Sequence, residues 1–512
     1  MADTVSGHFD RQEQAVMHRG GLEGGQRQNG EGPLTLSRMP LEILGNILAH
    51  SQPGELDDEA RRNLLDLCLV SRTWRDTALS THELWEGVEI DYPVKDLALY
   101  KVADWFNRSG VLGRTLVVQP NWHHDGEDEG DPCWKGAEVL AKLLTEGPPL
   151  EHLILDFEDA ECFINLTEAI APQGPSTRPR PWDDIRHLSL SLGRRDYSWK
   201  AEQPPNFNHL PPVSSFSLWL PFNAGLDRAV LDTPISIPPS FISNLTSLAI
   251  GCDWQVTHHL TILQHATNLE RLTISPMGSS FEYLDEGTYA QLRAKPVILP
   301  KTRILRLCDA ELESVQILPL LRIPMLKEFA LSLDLEVQEE DDDEEHFTTV
   351  QVEQWLKPFL NQHPSIERLE IVNIIRMDED ALSEILSVSL PLLNNLTFYN
   401  VKFDPIAMDL PKERSCFNAR YPQLKTIRIL KLHPSAGLAG IFQFAGAEID
   451  HFEEQGSESV GTENRTSSLE KLEVTFIQSP STIGDEGPDL QDYMGQMERL
   501  RAMGVVVVVG PG

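Results

Sequence analysis

The stretch Asn268-Leu269-Glu270-Arg271-Leu272-Thr273-Ile274 decides the fold. Leu272 and Ile274 are separated by one polar residue, so a short strand here carries both on one face and shows Arg271 and Thr273 on the other. Leu269 adds an apolar anchor just ahead of the strand. The phrase apolar-x-x-apolar-x-apolar then recurs, usually introduced by Pro or Asn. Clear copies are Leu150/Leu153/Leu155, Ile185/Leu188/Leu190, Leu245/Leu248/Ile250, Leu326/Phe329/Leu331, Ile366/Leu369/Ile371, Leu393/Leu396/Phe398, Leu424/Ile427/Ile429 and Leu469/Leu472/Val474. Weaker copies stand at Leu116/Val118, Phe216/Leu218 and Leu305/Leu307. One strand of this kind cannot cover its own apolar face. Neighbouring copies must stack and share a continuous core.

Start to start, the clear and weak copies together range from 24 residues (Leu245 to Leu269) to 45 (Leu424 to Leu469). The pattern resembles the leucine-rich repeat. Intervening segments such as 352–361 and 380–388 have helical periodicity, and a helical 490–503 precedes a final strand at 505–509. The expected fold class is α/β: an irregular solenoid with strands on its concave face and helices on its convex face. An ordinary α/β sheet also alternates strands and helices, but it does not reuse one strand phrase so often. Regular repeats place Asn or Cys at the ninth position, to bond turn backbone. Here that slot holds Glu158, Gly193, Met277, Ile374 or Val401, so no side-chain ladder is expected, and Asn373, Asn400 and Cys252 come one residue early. Polar insertions near 336–346 and 451–468 read as exposed acidic loops.

Of the 512 residues, 43 are basic and 78 acidic, a net charge of −35. Such a chain repels nucleic acid and anionic lipid, so neither is expected as a direct partner. Six scattered cysteines suit reduced thiols. With no secretion signal and no apolar run long enough for a membrane span, the expected location is intracellular, cytoplasm or nucleus. Residues 1–33 read as a disordered leader. No phosphate-binding glycine loop, nucleophile elbow or metal-ligand spacing is found. His123-His124 with its neighbouring acids reads as a solvated loop rather than a metal cluster. Neither catalytic residues nor cofactors are expected.

Residues 34–91 differ from the rest. Met39-Pro40-Leu41-Glu42-Ile43-Leu44-Gly45-Asn46-Ile47-Leu48 reads as a helix with proline at its first position. Leu41, Leu44 and Leu48 form one stripe, and Ile43 and Ile47 a second beside it. So wide an apolar surface must be covered on two sides. A second helical stretch, 64–79, with a break near Ser71, places Leu67, Val70, Trp74 and Ala78 on one face. Leu84 and Trp85 follow. Three short helices make a marginal core that leans on a partner.

The phrases "MPLEILGNIL" and "LLDLCLVSRTWRDTALSTHELWEGVEID" resemble the F-box, in the form common in mushroom-type fungi. Matching positions are Pro40, Glu42, Ile43, Leu44, Ile47, Val70, Ser71, Arg72, Trp74, Arg75, Ala78, Leu84 and Trp85. Met39 replaces the usual Leu, and the link at 50–63 is longer than usual. The resemblance implies a non-catalytic adaptor of a ubiquitin ligase: the F-box at 34–91 docks a Skp-family linker, and through it a cullin–RING ligase, while the solenoid at 92–512 holds a protein target. The linker contacts it implies are Pro40, Leu41, Ile43, Leu44, Ile47, Leu48, Leu69, Val70, Trp74, Leu84 and Trp85, although Trp74 and Trp85 suit the module's own core better than a contact. The alternative is an interaction scaffold acting outside a ligase. Target contacts are expected among variable strand positions such as Glu151, His152, Arg186, His187, Arg271, Arg306, Lys327, Glu367, Arg368, Arg428 and Lys471.

Overall fold

A computed structural model describes residues 39–51, 58–92, 99–120, 132–157, 160–171, 180–192, 207–220, 237–252, 254–276, 286–310, 312–333, 350–373, 384–400, 420–432, 469–476, 494–502 and 504–511. The leader, both acidic insertions, the His123-His124 loop and all five ninth-position residues lie outside the described residues.

Three helices come first: α1 (Leu41–Ser51), α2 (Asp58–Val70) and α3 (Arg72–Ser80), closed by a 3-10 turn over His82–Trp85. Then the strands begin: β1 (Gly87–Tyr92), β2 (Thr115–Pro120), β3 (His152–Phe157), β4 (His187–Leu192), β5 (Ser215–Trp219), β6 (Ser247–Cys252) and β7 (Arg271–Pro276). They continue with β8 (Ile304–Ala310), β9 (Glu328–Leu333), β10 (Arg368–Val372), β11 (Asn395–Tyr399), β12 (Thr426–Leu432), β13 (Lys471–Phe476) and β14 (Val506–Pro511). All fourteen form one sheet in chain order, each parallel to the next. An order without crossovers is what a solenoid produces, because every repeat pairs only with its sequence neighbours. The sheet opens one strand earlier than the repeat phrase announces, since Gly87–Tyr92 falls in the stretch assigned to the helical module.

The register explains the phrase. Its two strand positions build two apolar ladders across the whole sheet. One runs Val88, Leu116, Leu153, Leu188, Phe216, Leu248, Leu272, Leu305, Phe329, Leu369, Leu396, Ile427, Leu472 and Val507. The second starts at Ile90 and Val118 and passes through Ile274 and Leu307 to Ile429 and Val474. These side chains are buried against the connecting helices, in one core that also takes in Phe106, Leu144, Phe163, Leu260, Leu356 and Phe359. Burying a side chain of this size contributes roughly 1.5–3 kcal/mol. Strands therefore line one face of the protein and helices cover the other, as the repeat pattern predicts.

The ninth-position reasoning needs correction. Asn373 and Asn400 follow β10 and β11 with φ of 60° and 53°, the left-handed region that asparagine tolerates. Asn400 Nδ2 donates to Asn373 Oδ1 at 2.9 Å, and each backbone N–H donates to a carbonyl of the next strand. A short asparagine ladder thus exists, one residue earlier than expected. Asp309 and Lys431 take the same conformation in β8 and β12, with φ of 47° and 53°, where the pairing register slips before Ala310 and Leu432 resume it.

Candidate functional site

The helical module has its own small core of Leu44, Leu48, Leu64, Ala78 and Trp85. Helix α3 starts cleanly because the Ser71 hydroxyl accepts from Trp74 N, the break foreseen near that residue. Trp85 is sealed, and its indole Nε1 donates to the Ala78 carbonyl at 2.8 Å. Helix α1 approaches the end of α3 at Gly45, where a Cβ would sit 2.8 Å from Thr81 Oγ1. That contact turns Leu44 and Leu48 inward. It leaves the neighbouring stripe outside.

Leu41, Ile43, Ile47, Leu69 and Val70 are 53%, 48%, 43%, 57% and 61% exposed. Leu79 on α3 joins them at 41%, a residue that the sequence reading missed because it lies beside the Trp74/Ala78 face rather than on it. Six of the fifteen large exposed apolar side chains among the described residues therefore fall within this module. Isolated exposed leucines mean little, but such a concentration on a small element marks an interaction surface.

The module is clamped to the first repeat. Trp85 and Trp105 meet edge to face with ring centres 4.7 Å apart, and Trp105 Nε1 donates to the Gly87 carbonyl at 2.8 Å. The Arg108 guanidinium lies 4.6 Å over Trp85, and His82 Nδ1 donates to the Arg108 carbonyl at 2.6 Å. Arg61 reaches across to the Glu89 carbonyl at 3.2 Å. Trp105 packs against both cores, so the helices and the sheet share one junction.

The sheet face turned away from the helices carries the variable positions. Many of its charges neutralise one another across strands: Arg186 with Glu151, Lys327 with Glu367, Arg368 with Glu328, Lys425 with Glu470, and Arg428 with Glu473. Hydrogen bonding from Lys471, and then from Arg428, holds the Glu473 carboxyl below its usual range. His152 and His187 stand side by side on β3 and β4 with stacked rings, centres 4.3 Å apart and planes 5° from parallel. Trp219 lies flat where Gly251 offers no side chain: a Cβ there would sit 2.1 Å from the indole. This face is polar, mixed in charge, and rigidly backed by the apolar ladders.

No protein-family model matches the chain, and no curated protein matches it. Among solved structures, a Bacteroides fragilis protein aligns at 12% identity over 58% of this chain and 72% of its own length, with a TM-score of 0.32. A TLR13 chain, from a TLR13–ssRNA13 complex, aligns at 12% identity over 76% of this chain with a TM-score of 0.27. This chain spans 52% of that TLR13 chain. At such scores neither alignment carries an argument, and the solenoid assignment rests on the sheet order and register.

The eleven residues expected at a linker interface separate into three groups. Pro40, Leu41, Ile43, Ile47, Leu69 and Val70 are exposed and available. Trp74 and Leu84 are half-buried against the module core. Leu44, Leu48 and Trp85 are sealed inside it, which corrects their reading as contacts: a side chain with no free surface supports a docking face without touching the guest. Val70 is corrected in the other direction. It ends α2 before the break at Ser71, so it does not continue the buried face of α3. Among the described residues, no helix is long and apolar enough to cross a membrane.

Proposed function

We propose that the chain is the substrate-recognition adaptor of a Skp–cullin–F-box type ubiquitin ligase. The surface of Pro40, Leu41, Ile43, Ile47, Leu69 and Val70 docks a Skp-family linker, and the open face of the sheet holds a protein target for ubiquitination. One observation carries the reading: among its described residues, the module clusters five buried apolar side chains in its core and leaves six large apolar ones in water. The F-box resemblance of the same residues names the partner class. Such an adaptor works by proximity, raising the effective concentration of target lysines near a charged conjugating enzyme. The clamp at Trp85 and Trp105 suits that role, since a rigid joint between linker dock and target face fixes the distance that the transfer must span.

The test is co-purification of a Skp-family linker with the full chain and with an Ile43→Asp/Ile47→Asp variant. Both positions are exposed, so the variant keeps its melting temperature while losing linker capture. Leu44 is the wrong choice for this experiment because its substitution damages the core itself. Linker binding undiminished in the double variant overturns the proposal. Linker bound without any cullin favours the scaffold alternative.

A further inference from the structure

The histidine pair on the open face stands apart from the linker surface and does not depend on the ligase reading. His152 and His187 occupy directly paired positions on β3 and β4, and Glu151 precedes the first of them. One ligand atom from each of Glu151, His152 and His187 lies within 4.8 Å of the others, and all three residues are half-buried.

Four other described histidines give a comparison. Rings at His50, His82, His259 and His363 each place Nδ1 on a backbone carbonyl. Neither His152 nor His187 makes such a bond to any described residue, so their nitrogens are free to take another partner. The scaffold beneath is stiff. Leu153 and Leu188 anchor the two strands in the apolar ladder, and His152 N and His187 N donate at 3.0 Å to the Arg114 and Glu151 carbonyls.

We propose that Glu151, His152 and His187 form a binding site for one divalent transition cation of the zinc class, with its fourth position open to solvent or to a bound target. Two imidazoles and a carboxylate are a donor set of intermediate softness, which selects zinc-like ions over magnesium or calcium. Tetrahedral bonds of about 2.1 Å set ligand atoms roughly 3.4 Å apart, so the three groups must close by little more than an ångström. Rotation of the stacked rings about their Cβ–Cγ bonds is the motion that this closure requires. The Arg186 contact to Glu151 is a weak competitor, at 3.7 Å with Arg186 largely in solvent.

The experiment uses the full chain, stripped with a chelator and titrated with zinc chloride by calorimetry. A His152→Gln/His187→Gln variant is expected to bind one equivalent fewer than the wild type. In the wild type alone, acylation of histidines by diethyl pyrocarbonate, mapped by mass spectrometry, is expected to show zinc protecting His152 and His187 at least fivefold while leaving His265 reactive. The protection measurement needs no substitution, so it holds whether or not the variant folds. Equal stoichiometry in a folded variant, or unprotected rings at positions 152 and 187, overturns the site.

Discussion

Two helices of this chain carry similar apolar content and meet opposite fates. The repeat helix Val350–Gln362 seals Leu356, Phe359 and Leu360 against the sheet, and Trp355 packs beside them. Helix α1 seals Leu44 and Leu48 but leaves Leu41, Ile43 and Ile47 in water. The difference lies in what stands next to each. A repeat helix rests on a sheet extended by its neighbours on either side, whereas the module has three short helices and a single junction through Trp85 and Trp105. Apolar content alone therefore does not mark a docking surface. Apolar content without a neighbour does.

The contrast is broken most severely on the repeat side. Phe359→Ala, at a fully buried position touching Phe329, is expected to cost about 3–5 kcal/mol. Because repeats couple mainly to their neighbours, the loss should be greatest around β9 and β10. Hydrogen exchange reads this directly: protection there should fall while α1 to α3 keep theirs. Uniform loss across the chain would mean that the module and repeats form one cooperative unit.

Within α1 the comparison narrows to adjacent residues. Leu44→Ala is expected to cost about 2–4 kcal/mol, while Ile43→Ala stays within roughly 0.5 kcal/mol in the isolated chain. Chemical denaturation followed by module-specific probes separates the two. Equal effects would show that Ile43 is covered after all, and the docking surface would vanish with it. Adding a Skp-family linker should reverse the ranking for binding, with Ile43→Ala now the more damaging change.

Much of this was legible in advance, and the failures have physical causes. The strand phrase predicts the sheet because its two inward positions are what the ladders bury. Strand β1 escaped notice since Val88, Ile90 and Tyr92 follow a 3-10 turn rather than the usual apolar anchor. In α1, periodicity shows two apolar stripes but cannot say which faces inward. That choice is made by the close approach of Gly45 to Thr81, a tertiary contact with no local signal. The histidine pair was equally hidden: 35 residues separate His152 from His187, and only the register brings them together.

Acid should also discriminate between the two regions. His259, on the helix that follows β6, is sealed with its Nε2 3.5 Å from Cys252 Sγ at the end of that strand, and burial lowers its pKa from the ordinary 6.5 to about 4. Burial likewise lowers His363. The unfolded chain then binds more protons between those two values, so repeat stability is full above about 6.5 and falls as the pH drops toward about 4. In the described part of the module the histidines, His50 and His82, are exposed rather than sealed. Melting curves at pH 7.5 and 5 should show the repeats weakening, and His259→Gln should flatten that dependence. An unchanged slope in the variant would assign the acid sensitivity elsewhere.

The smallest effect concerns the repeat backbone itself. Asn373 and Asn400 accept the left-handed conformation readily, whereas Lys431 holds the same conformation at a cost of roughly 1 kcal/mol. Its ammonium, 5.0 Å over the Tyr399 ring, recovers part of that. Lys431→Asn removes most of the strain and places an amide beside Asn400, where the Asn400–Asn373 bond could extend by one rung. The expected outcome is a gain of about 0.5–1 kcal/mol in denaturant melts, confined to the repeats. A loss instead would mean that the lysine–tyrosine contact outweighs the backbone strain, and that these repeats are tuned by their open-face side chains more than by their corners.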